Sequence, residues 1–146
     1  MRQERKAGTE ADDSRRTDGD LIRSTIIIPN YNGIHYIENC LKSLEGEPAR
    51  VLVVDNGSTD GSRELVEERF PQVEIISLKS NQGFCGAVNK GILESKTTYV
   101  ILLNNDTVVL PGFVRALEAP LEHDGKIFSG SAQMINMKKP QLIDDA

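Results

Sequence analysis

The stretch YVILLNNDT at residues 99–107 indicates the fold class of this chain of 146 residues. Its first five residues are all apolar, so they lack the alternation of a strand that has one solvated face. A short run of this kind is typical of a strand in a parallel sheet, where both faces are covered. The stretch therefore predicts a buried strand at 99–103 that ends in two asparagines, an aspartate and a threonine.

Other short apolar runs recur along the chain and alternate with segments of helical periodicity. Strands are predicted at residues 25–28, 51–54, 73–78 and 99–103, with a fifth within 126–135. Strands that alternate with helices form right-handed parallel βαβ units. We therefore expect an α/β fold, a three-layer sandwich around a mostly parallel sheet, and we expect that sheet to be incomplete.

The spacing of apolar residues also predicts which helix faces turn towards the sheet. In the first helix these are Ile34, Ile37, Leu41 and Leu44. In the third helix, which opens after the turn at 81–83, they are Phe84, Val88 and Ile92. Cys40 and Cys85 fall in these two helices, and their wide separation favours reduced core thiols over a disulfide or a zinc site.

Composition and charge restrict the function classes. The length suits one domain with a real core, which we expect at 23–146 after a disordered, highly charged tail at 1–22. The net charge of −5 argues against nucleic acid as a partner, because a nucleic-acid groove needs a basic patch. No apolar run reaches the length of a membrane span and no secretory leader is visible, so a cytoplasmic location is expected.

A polar or glycine-bearing cluster follows each of the first four predicted strands. The clusters occupy residues 29–32, 55–60, 81–83 and 104–106. Because parallel strands point the same way, their carboxyl ends share one edge of the sheet, where ligands of such folds bind. Each cluster taken alone is equally consistent with ordinary turn chemistry. Turn chemistry alone does not predict carboxylates on two of these loops and an aromatic residue on a third.

These residue types suit a nucleoside diphosphate. Tyr31 and Asp55 offer an aromatic face and a hydrogen-bond acceptor for a base, and Asp106 offers an oxygen ligand for Mg²⁺ or Mn²⁺. The turn at Gly83 opens a helix whose amino end favours phosphate. The sequence has no glycine loop followed by Lys-Ser or Lys-Thr and no GxGxxG after the first strand, so neither a P-loop nor a usual dinucleotide fold is indicated.

At five motifs the chain resembles inverting family 2 glycosyltransferases of the GT-A fold, in particular their rhamnosyltransferase-like members. The motifs are IIIPNYN at 26–32, VVDNGSTDG at 53–61, NQGF at 81–84, NKG at 89–91 and LLNNDT at 102–107. They occur in the family's order and cover roughly residues 24 to 135. Together they are far more specific than any one of them alone.

The resemblance implies roles for individual residues. Tyr31 and Asp55 would contact the nucleobase, and Asn104 and Asn105 would lie near the ribose and the sugar. Asp106 would occupy the last position of the family's DxD motif and bind the divalent metal, although the first position here is Asn104. The full set of residues expected to bind substrate is Pro29, Tyr31, Asn32, Asp55, Asn81, Gly83, Asn104 and Asn105.

The resemblance also implies a reaction and its partners. A UDP- or dTDP-sugar would donate a glycosyl group, with inversion, to a saccharide or lipid-linked acceptor, as in bacterial surface polysaccharide synthesis. The general base of the family lies well downstream of DxD, and Asp144 and Asp145 come too early for that role. We therefore expect the donor-binding half of an enzyme, without its catalytic base and with peripheral membrane association left to regions outside this chain.

Two alternatives remain beside this interpretation. A sugar-nucleotide pyrophosphorylase would need a basic, glycine-rich loop after the first strand, which PNYN at 29–32 does not provide. A truncated or degenerate module that binds nucleotide without catalysis is the alternative that stays open. Whether the chain is part of an enzyme or a non-catalytic module, an incomplete sheet should leave apolar surface uncovered and favour self-association.

Overall fold

The computed structural model describes residues 22–136, in which four strands alternate with four helices. Each neighbouring pair of strands is parallel, and the order across the sheet is β3-β2-β1-β4. The predicted α/β class and parallel sheet are confirmed. The elements are β1 (Ser24–Asn30), α1 (Ile37–Ser43), β2 (Ala49–Asp55), α2 (Ser62–Arg69), β3 (Glu74–Ser77), α3 (Gly83–Glu94), β4 (Tyr99–Leu102) and α4 (Phe113–His123).

The register of the sheet brings the strand ends to one edge. Asn30, the last residue of β1, lies opposite Asp55, the last residue of β2. On its other side β1 pairs with β4, where Ile27 lies opposite Leu102. The chain runs from β1 outward through β2 and β3 and then returns to the far side of β1. The boundary between β1 and β4 is therefore a topological switch point, where open parallel sheets form ligand crevices.

One face of the sheet packs against α1, α2 and α4 and carries most of the core. Alternate strand residues point to this face, so that Ile26, Ile28, Val53 and Ile101 pack against apolar helix residues such as Val114. The position of α4 is fixed partly by Glu47, whose carboxylate accepts hydrogen bonds from the first amides of that helix. A carboxylate at a helix amino end also complements the helix dipole.

The other face is covered by α3 alone, which packs on β1 and β2. Gly91 permits this approach, because a Cβ at that position would lie 2.5 Å from Cγ2 of Ile27. On this face of β4, Val100 is 39% exposed and Leu102 is 50% exposed. The prediction that every strand is covered on both faces is therefore wrong for β4, since no described element packs over it on this side.

The orientation of α3 differs from the prediction. Val88 is buried as expected, but Phe84 is 57% exposed and Ile92 is 44% exposed. The buried residues beside Val88 are the small Ala87 and Gly91. A helix that packs closely on a sheet does so through small residues, so the larger apolar side chains of α3 lie beside the contact rather than within it.

Two further expectations are corrected. Residues 126–135 form no strand, and Ile135 makes an isolated bridge only. Apolar side chains in this segment, such as Phe128, are exposed because no element among residues 22–136 packs over them. Cys40 is a buried core thiol as predicted, whereas Cys85 is exposed on α3.

The ends of the chain carry predictions that lie largely outside the described residues. The tail predicted at 1–22 falls there except for Ile22, which is exposed and has no regular structure. Asp144 and Asp145 also lie outside the described residues. Within 22–136, none of the helices is both long enough and apolar enough to cross a bilayer.

Candidate functional site

The polar clusters meet at the carboxyl edge of the sheet, as the sequence predicted. The backbone amide of Asn56 donates to the carbonyl of Asn30 at 2.8 Å, which joins the ends of β2 and β1. The amide of Leu78 donates to the carbonyl of Asp55 at 2.8 Å, which brings the end of β3 to the same place. From the far side of β1, Asn105 Nδ2 donates to Asn30 Oδ1, also at 2.8 Å.

A cavity of about 260 Å³ opens at this edge, beside the ends of β1 and β2. Its wall contains two aromatic side chains, Tyr31 and Phe84, which are 50% and 57% exposed. The remaining lining is uncharged and consists of three asparagines, a proline and a glycine. We call it the amide–aromatic cavity, and its residues are Pro29, Asn30, Tyr31, Asn56, Asn81, Gly83 and Phe84. Aromatic faces beside neutral amides suit a planar ring that carries hydrogen-bonding edges.

A larger cavity, of about 660 Å³, lies at the opposite, amino-terminal edge of the sheet. It is bordered by apolar residues such as Leu44, Ala49 and Val73 together with Arg50 and Glu74. It contains none of the polar strand-end clusters, and Arg50 and Glu74 are paired with each other. The chemistry of the site therefore points to the smaller cavity.

Asp55 lies beneath the amide–aromatic cavity and does not line it. The residue is 2% exposed, and its Oδ2 accepts a hydrogen bond from the amide of Ser58 at 3.2 Å. Asn30 Nδ2 lies 3.4 Å from Asp55 Oδ1. The carboxylate thus holds the turn after β2. Gly57 completes that turn, with a φ of 79° and backbone of Ser80 where a side chain would begin.

The residue after Asp55 takes the place on the cavity wall, and the sequence interpretation had not assigned it a role. Asn56 is 4% exposed; its Nδ2 donates to Asn81 Oδ1 and to the carbonyl of Gly83, each at 3.0 Å. Its Oδ1 accepts from the amide of Gln82 at 2.8 Å. Asn56 therefore ties the turn after β2 to the amino end of α3. Its position directly after a buried strand was the available signal.

Asn32 links the first two loops instead of pointing into the cavity lining. Its φ is 52°, in the left-handed region that asparagine tolerates. The amide of Thr59 donates to Asn32 Oδ1 at 2.9 Å, and the amide of Asn32 donates to Ser58 Oγ at 3.0 Å. Asn32 thereby holds the 29–32 loop against the 55–60 loop.

Asp60 strengthens the same junction. Its Oδ2 accepts from the amide of Ile34 at 2.9 Å, and its Oδ1 accepts from the amide and the hydroxyl of Ser62. Burial acts to raise the pKa of Asp60, but these hydrogen bonds, first among them that from the Ser62 hydroxyl, hold it below its usual value. Asp60 is therefore a charged cap at the start of α2 rather than a ligand-binding group.

The loop at 104–107 lies on the β4 side of the site and carries the predicted metal ligand. Asn104 and Asp106 are exposed, and Asn105 is half-buried. The thiol of Cys40 donates to the carbonyl of Asn104 at 3.7 Å. Burial, and secondarily the charge of Asp106, raises the pKa of Cys40 to about 12. Asp106 is therefore near the buried thiol of Cys40, while its own side chain is exposed to solvent.

The donor set for a divalent cation is small. Among residues 22–136, no three His, Cys, Asp or Glu side chains are grouped so that they could hold a metal ion. One carboxylate, Asp106, lies in a loop with amide oxygens from Asn104 and Asn105. Mg²⁺ commonly binds through one or two carboxylates, with substrate phosphates and water completing its shell. The residues present fit a cation that is shared with a bound diphosphate, and they do not form a preassembled cage.

The predicted site residues therefore fall into three groups. Four line the amide–aromatic cavity: Pro29, Tyr31, Asn81 and Gly83. Two support its loops: Asn32 and Asp55. Three lie in the loop across the switch point: Asn104, Asn105 and Asp106. The sequence interpretation missed Asn30, Asn56 and Phe84, although each adjoins a residue that it chose.

Comparisons with known proteins identify the family of this chain and its fold. The family model "Glycosyl transferase family 2" matches residues 25–143. "Putative glycosyltransferase TagX" of Staphylococcus aureus strain MRSA252 is 33% identical over 115 residues, which are 73% of this chain and 33% of TagX. The teichoic acid poly(glycerol phosphate) polymerase of Staphylococcus epidermidis is 29% identical over 128 residues, 82% of this chain and 18% of that protein.

Solved structures show the same fold. The crystal structure of S. aureus TarS 1–349 has a TM-score of 0.64 at 24% identity and covers 70% of this chain and 33% of TarS 1–349. TarS 1–349 in complex with UDP-GlcNAc gives a TM-score of 0.62 at 23% identity, over 70% of this chain and 32% of that one. This chain spans about a third of TagX and of TarS 1–349, and less of the polymerase.

Proposed function

This chain belongs to glycosyl transferase family 2, and we propose that it forms the donor-binding part of an enzyme that transfers a sugar from a nucleoside-diphosphate sugar. The observation that carries the proposal is the convergence of the amide–aromatic cavity and loop 104–107 on the two sides of Asn30. The cavity suits a base, and the loop suits a cation that is bound to phosphate. The TarS complexes with UDP and UDP-GlcNAc support a donor of the same class.

The cavity accounts for the base end of the donor. Tyr31 and Phe84 expose aromatic surface to water. A base that packs against these rings removes that surface from water, which favours binding. Asn81 lines the cavity and offers its amide nitrogen to a base, while the amide of Asn56 is bonded to Asn81, Gln82 and Gly83 and holds that part of the lining in place. A uracil or thymine presents both donors and acceptors along one edge, so a UDP- or dTDP-sugar is the proposed donor.

The diphosphate would lie between the amino end of α3 and Asp106. Gly83 is the first residue of α3 and lines the cavity. Its φ is 76°, in the left-handed region that glycine adopts readily. The positive end of the helix dipole therefore faces the place where phosphate would follow the base. We propose that Asp106 holds Mg²⁺ or Mn²⁺, with Asn104 and Asn105 near the ribose and the sugar. A divalent cation, when bound, offsets the charge that develops on a departing diphosphate.

Transfer with inversion also needs an acceptor site and a general base. We propose that these belong to the part of the whole protein that corresponds to the other two thirds of its relatives. The 146-residue chain would then bind donor and transfer no sugar. The saccharide or lipid-linked acceptor, the cytoplasmic location and the membrane association through other regions stay predictions. Measurable sugar transfer by the purified chain would contradict this division of labour.

A non-catalytic nucleotide-binding module is the second candidate. It is favoured by the single carboxylate of loop 104–107 and by the lack of a three-ligand metal cluster within 22–136. Such a module would bind nucleotide through the amide–aromatic cavity without help from a cation. The two candidates therefore differ in whether Mn²⁺ tightens the binding of a nucleoside diphosphate.

Isothermal titration of the chain with UDP and dTDP, with and without Mn²⁺, tests the proposal. We expect Mn²⁺ to tighten binding about tenfold or more, and we expect Asp106→Asn to remove that gain because the cation loses its charged ligand. Asp124→Asn is the matched control, since Asp124 is an exposed aspartate outside the site. Binding that is equally strong without Mn²⁺ would favour the non-catalytic module, and no binding under any condition would overturn both candidates.

A further inference from the structure

The side chain of Asn30 contacts four polar side chains from three segments of the site. It is 1% exposed, and its Nδ2 donates to Ser62 Oγ at 3.0 Å and faces Ser58 Oγ and Asp55 Oδ1 at 3.3 and 3.4 Å. Its Oδ1 accepts from Asn105 Nδ2 at 2.8 Å. A buried amide with partners for both its donor and its acceptor is held in one orientation. Asn30 therefore ties the turn after β2 and the start of α2 to the loop after β4.

This hydrogen bond crosses the switch point of the sheet. On the β2 side of Asn30 lies the amide–aromatic cavity, which Asn30 itself helps to line. On the β4 side lies loop 104–107, which carries Asp106 one residue after Asn105. We call the amide–aromatic cavity and loop 104–107 the two half-sites. Their positions relative to each other depend on a contact between residues that are 75 positions apart in the chain.

Gly33 leaves the space that the contact needs. A Cβ at position 33 would lie 2.2 Å from Asn30 Oδ1 and 2.3 Å from Asn105 Nδ2, so it would clash with both atoms of the hydrogen bond. The φ of Gly33 is outside the left-handed region, so an alanine there meets no backbone strain of that kind. Gly33→Ala therefore separates Asn30 from Asn105 by steric contact while both amides stay in the sequence.

We propose that Asn30 is a positioning residue, and that its hydrogen bond to Asn105 holds loop 104–107 at the distance from the amide–aromatic cavity that one nucleoside diphosphate spans. The inference depends on the proposed function and adds a mechanism to it. When the bond is present, base and diphosphate are recognised by one rigid unit, and binding one end places the other. When it is broken, each half-site keeps its own residues but the gain from binding both ends together falls.

The test compares a ligand that reaches one half-site with a ligand that spans both. The purified chain and its Gly33→Ala variant are titrated with uridine, and with UDP in the presence of Mn²⁺, by calorimetry. We expect the uridine affinity of Gly33→Ala to stay within about twofold of wild type, because all the cavity residues are retained and Asn30 keeps its hydrogen bond to Ser62 on the other end of its amide. We expect the affinity for UDP with Mn²⁺ to fall about five- to tenfold, the scale of one lost structural hydrogen bond.

Two further variants distinguish positioning from a loss of fold. Gly125→Ala is the matched control, because Gly125 has open space around it and an ordinary φ; it should leave both affinities unchanged. Asn105→Ala removes the same bond from the loop side and provides a second route if Gly33→Ala folds poorly. If both substitutions act through this one bond, the double variant binds UDP with Mn²⁺ no more weakly than the weaker single variant.

The outcomes separate this inference from the proposed function. Wild type that binds neither uridine nor UDP overturns the proposed function and this inference with it. Wild type that binds both, with Gly33→Ala and Asn105→Ala unchanged, overturns the inference alone. Equal losses for uridine and for UDP with Mn²⁺ would also overturn it, since they indicate general damage to the site. Additive losses in the double variant would show that Asn105 acts by another route.

Discussion

The two faces of the sheet are packed to different extents, although the strand sequences give no sign of it. The face under α1, α2 and α4 belongs to a cluster of thirteen buried residues, whereas the face under α3 belongs to a cluster of four. Ile26 and Leu102, both aliphatic and both in strands, are 0% and 50% exposed. An apolar strand residue is therefore buried only where a neighbouring element covers it, and over β4 the α3 side has no such element among residues 22–136.

The largest expected effect comes from truncating one residue on each face. Ile26→Ala should lower the free energy of unfolding by about 2–5 kcal/mol, because it opens a cavity in the face under α1, α2 and α4, which we call the closed face. Leu102→Ala should lower it by less than about 1 kcal/mol, because half of that side chain already contacts water. Urea unfolding followed by circular dichroism measures both. Similar losses for the two variants would show that the α3 side of β4 is covered in solution.

A smaller effect is expected from the buried thiol of the closed face. Burial, with a further contribution from Asp106, raises the pKa of Cys40 to about 12, whereas an unfolded thiol ionises near pH 8.5. Above that pH the unfolded state releases a proton that the folded state keeps, so stability falls as pH rises. Between pH 8.5 and 10 the loss should be on the order of 1–2 kcal/mol.

Urea unfolding at several pH values checks this dependence. Cys40→Ala should show a flatter decline than wild type, because it has no buried thiol to keep protonated. Cys85→Ala retains the buried thiol and is the matched control from the exposed side of α3. Identical pH profiles for wild type and Cys40→Ala would contradict the assignment of the decline to Cys40.

The smallest effect on stability is expected from substitutions on the uncovered α3 side of β4, which we call the open face. These substitutions should instead change the self-association of the chain. Val100 and Leu102 expose apolar surface on that side, and β4 ends the sheet among the described strands. Exposed edge strands with apolar side chains favour self-association. Sedimentation velocity should show weight-average mass rising with concentration, and Leu102→Lys should reduce that rise by placing a charge on the edge.

Leu110→Lys is the control for this measurement. Leu110 is 76% exposed and lies outside β4, so the same change of leucine to lysine there should leave the association of the chain largely unaltered. Equal reductions in the two variants would attribute self-association to general surface charge. A wild-type chain that stays monomeric at every concentration would contradict the prediction that the open face drives self-association.

The fold was predictable to the extent that it depends on local pattern. The apolar run at 25–28 predicted β1, and the run at 51–54 predicted β2, because a strand covered on both faces needs no polar alternation. The same rule failed for 99–103 on one face and for 126–135 altogether. Apolar character shows what a segment can bury, but it does not show whether a partner is present to bury it.

The site was predictable in outline for a related reason. Parallel strands carry their carboxyl ends to one edge, so the clusters had to meet whatever their detailed contacts. The sequence could not rank Asp55 against Asn56, since both follow the same strand. Only the turn geometry decides that Asp55 goes beneath the loop and Asn56 goes to the cavity wall.

The amino-acid sequence by itself determined the parallel sheet, the edge at which its polar loops gather and the family to which the chain belongs, because these follow from local periodicity and from short motifs. The tertiary structure alone decided which face of the sheet stays open, which large side chains of α3 remain outside, and that Asn30 is bonded to Asn105. Those outcomes depend on contacts between residues far apart in the chain, and such contacts form only when the packed elements have fixed their distances.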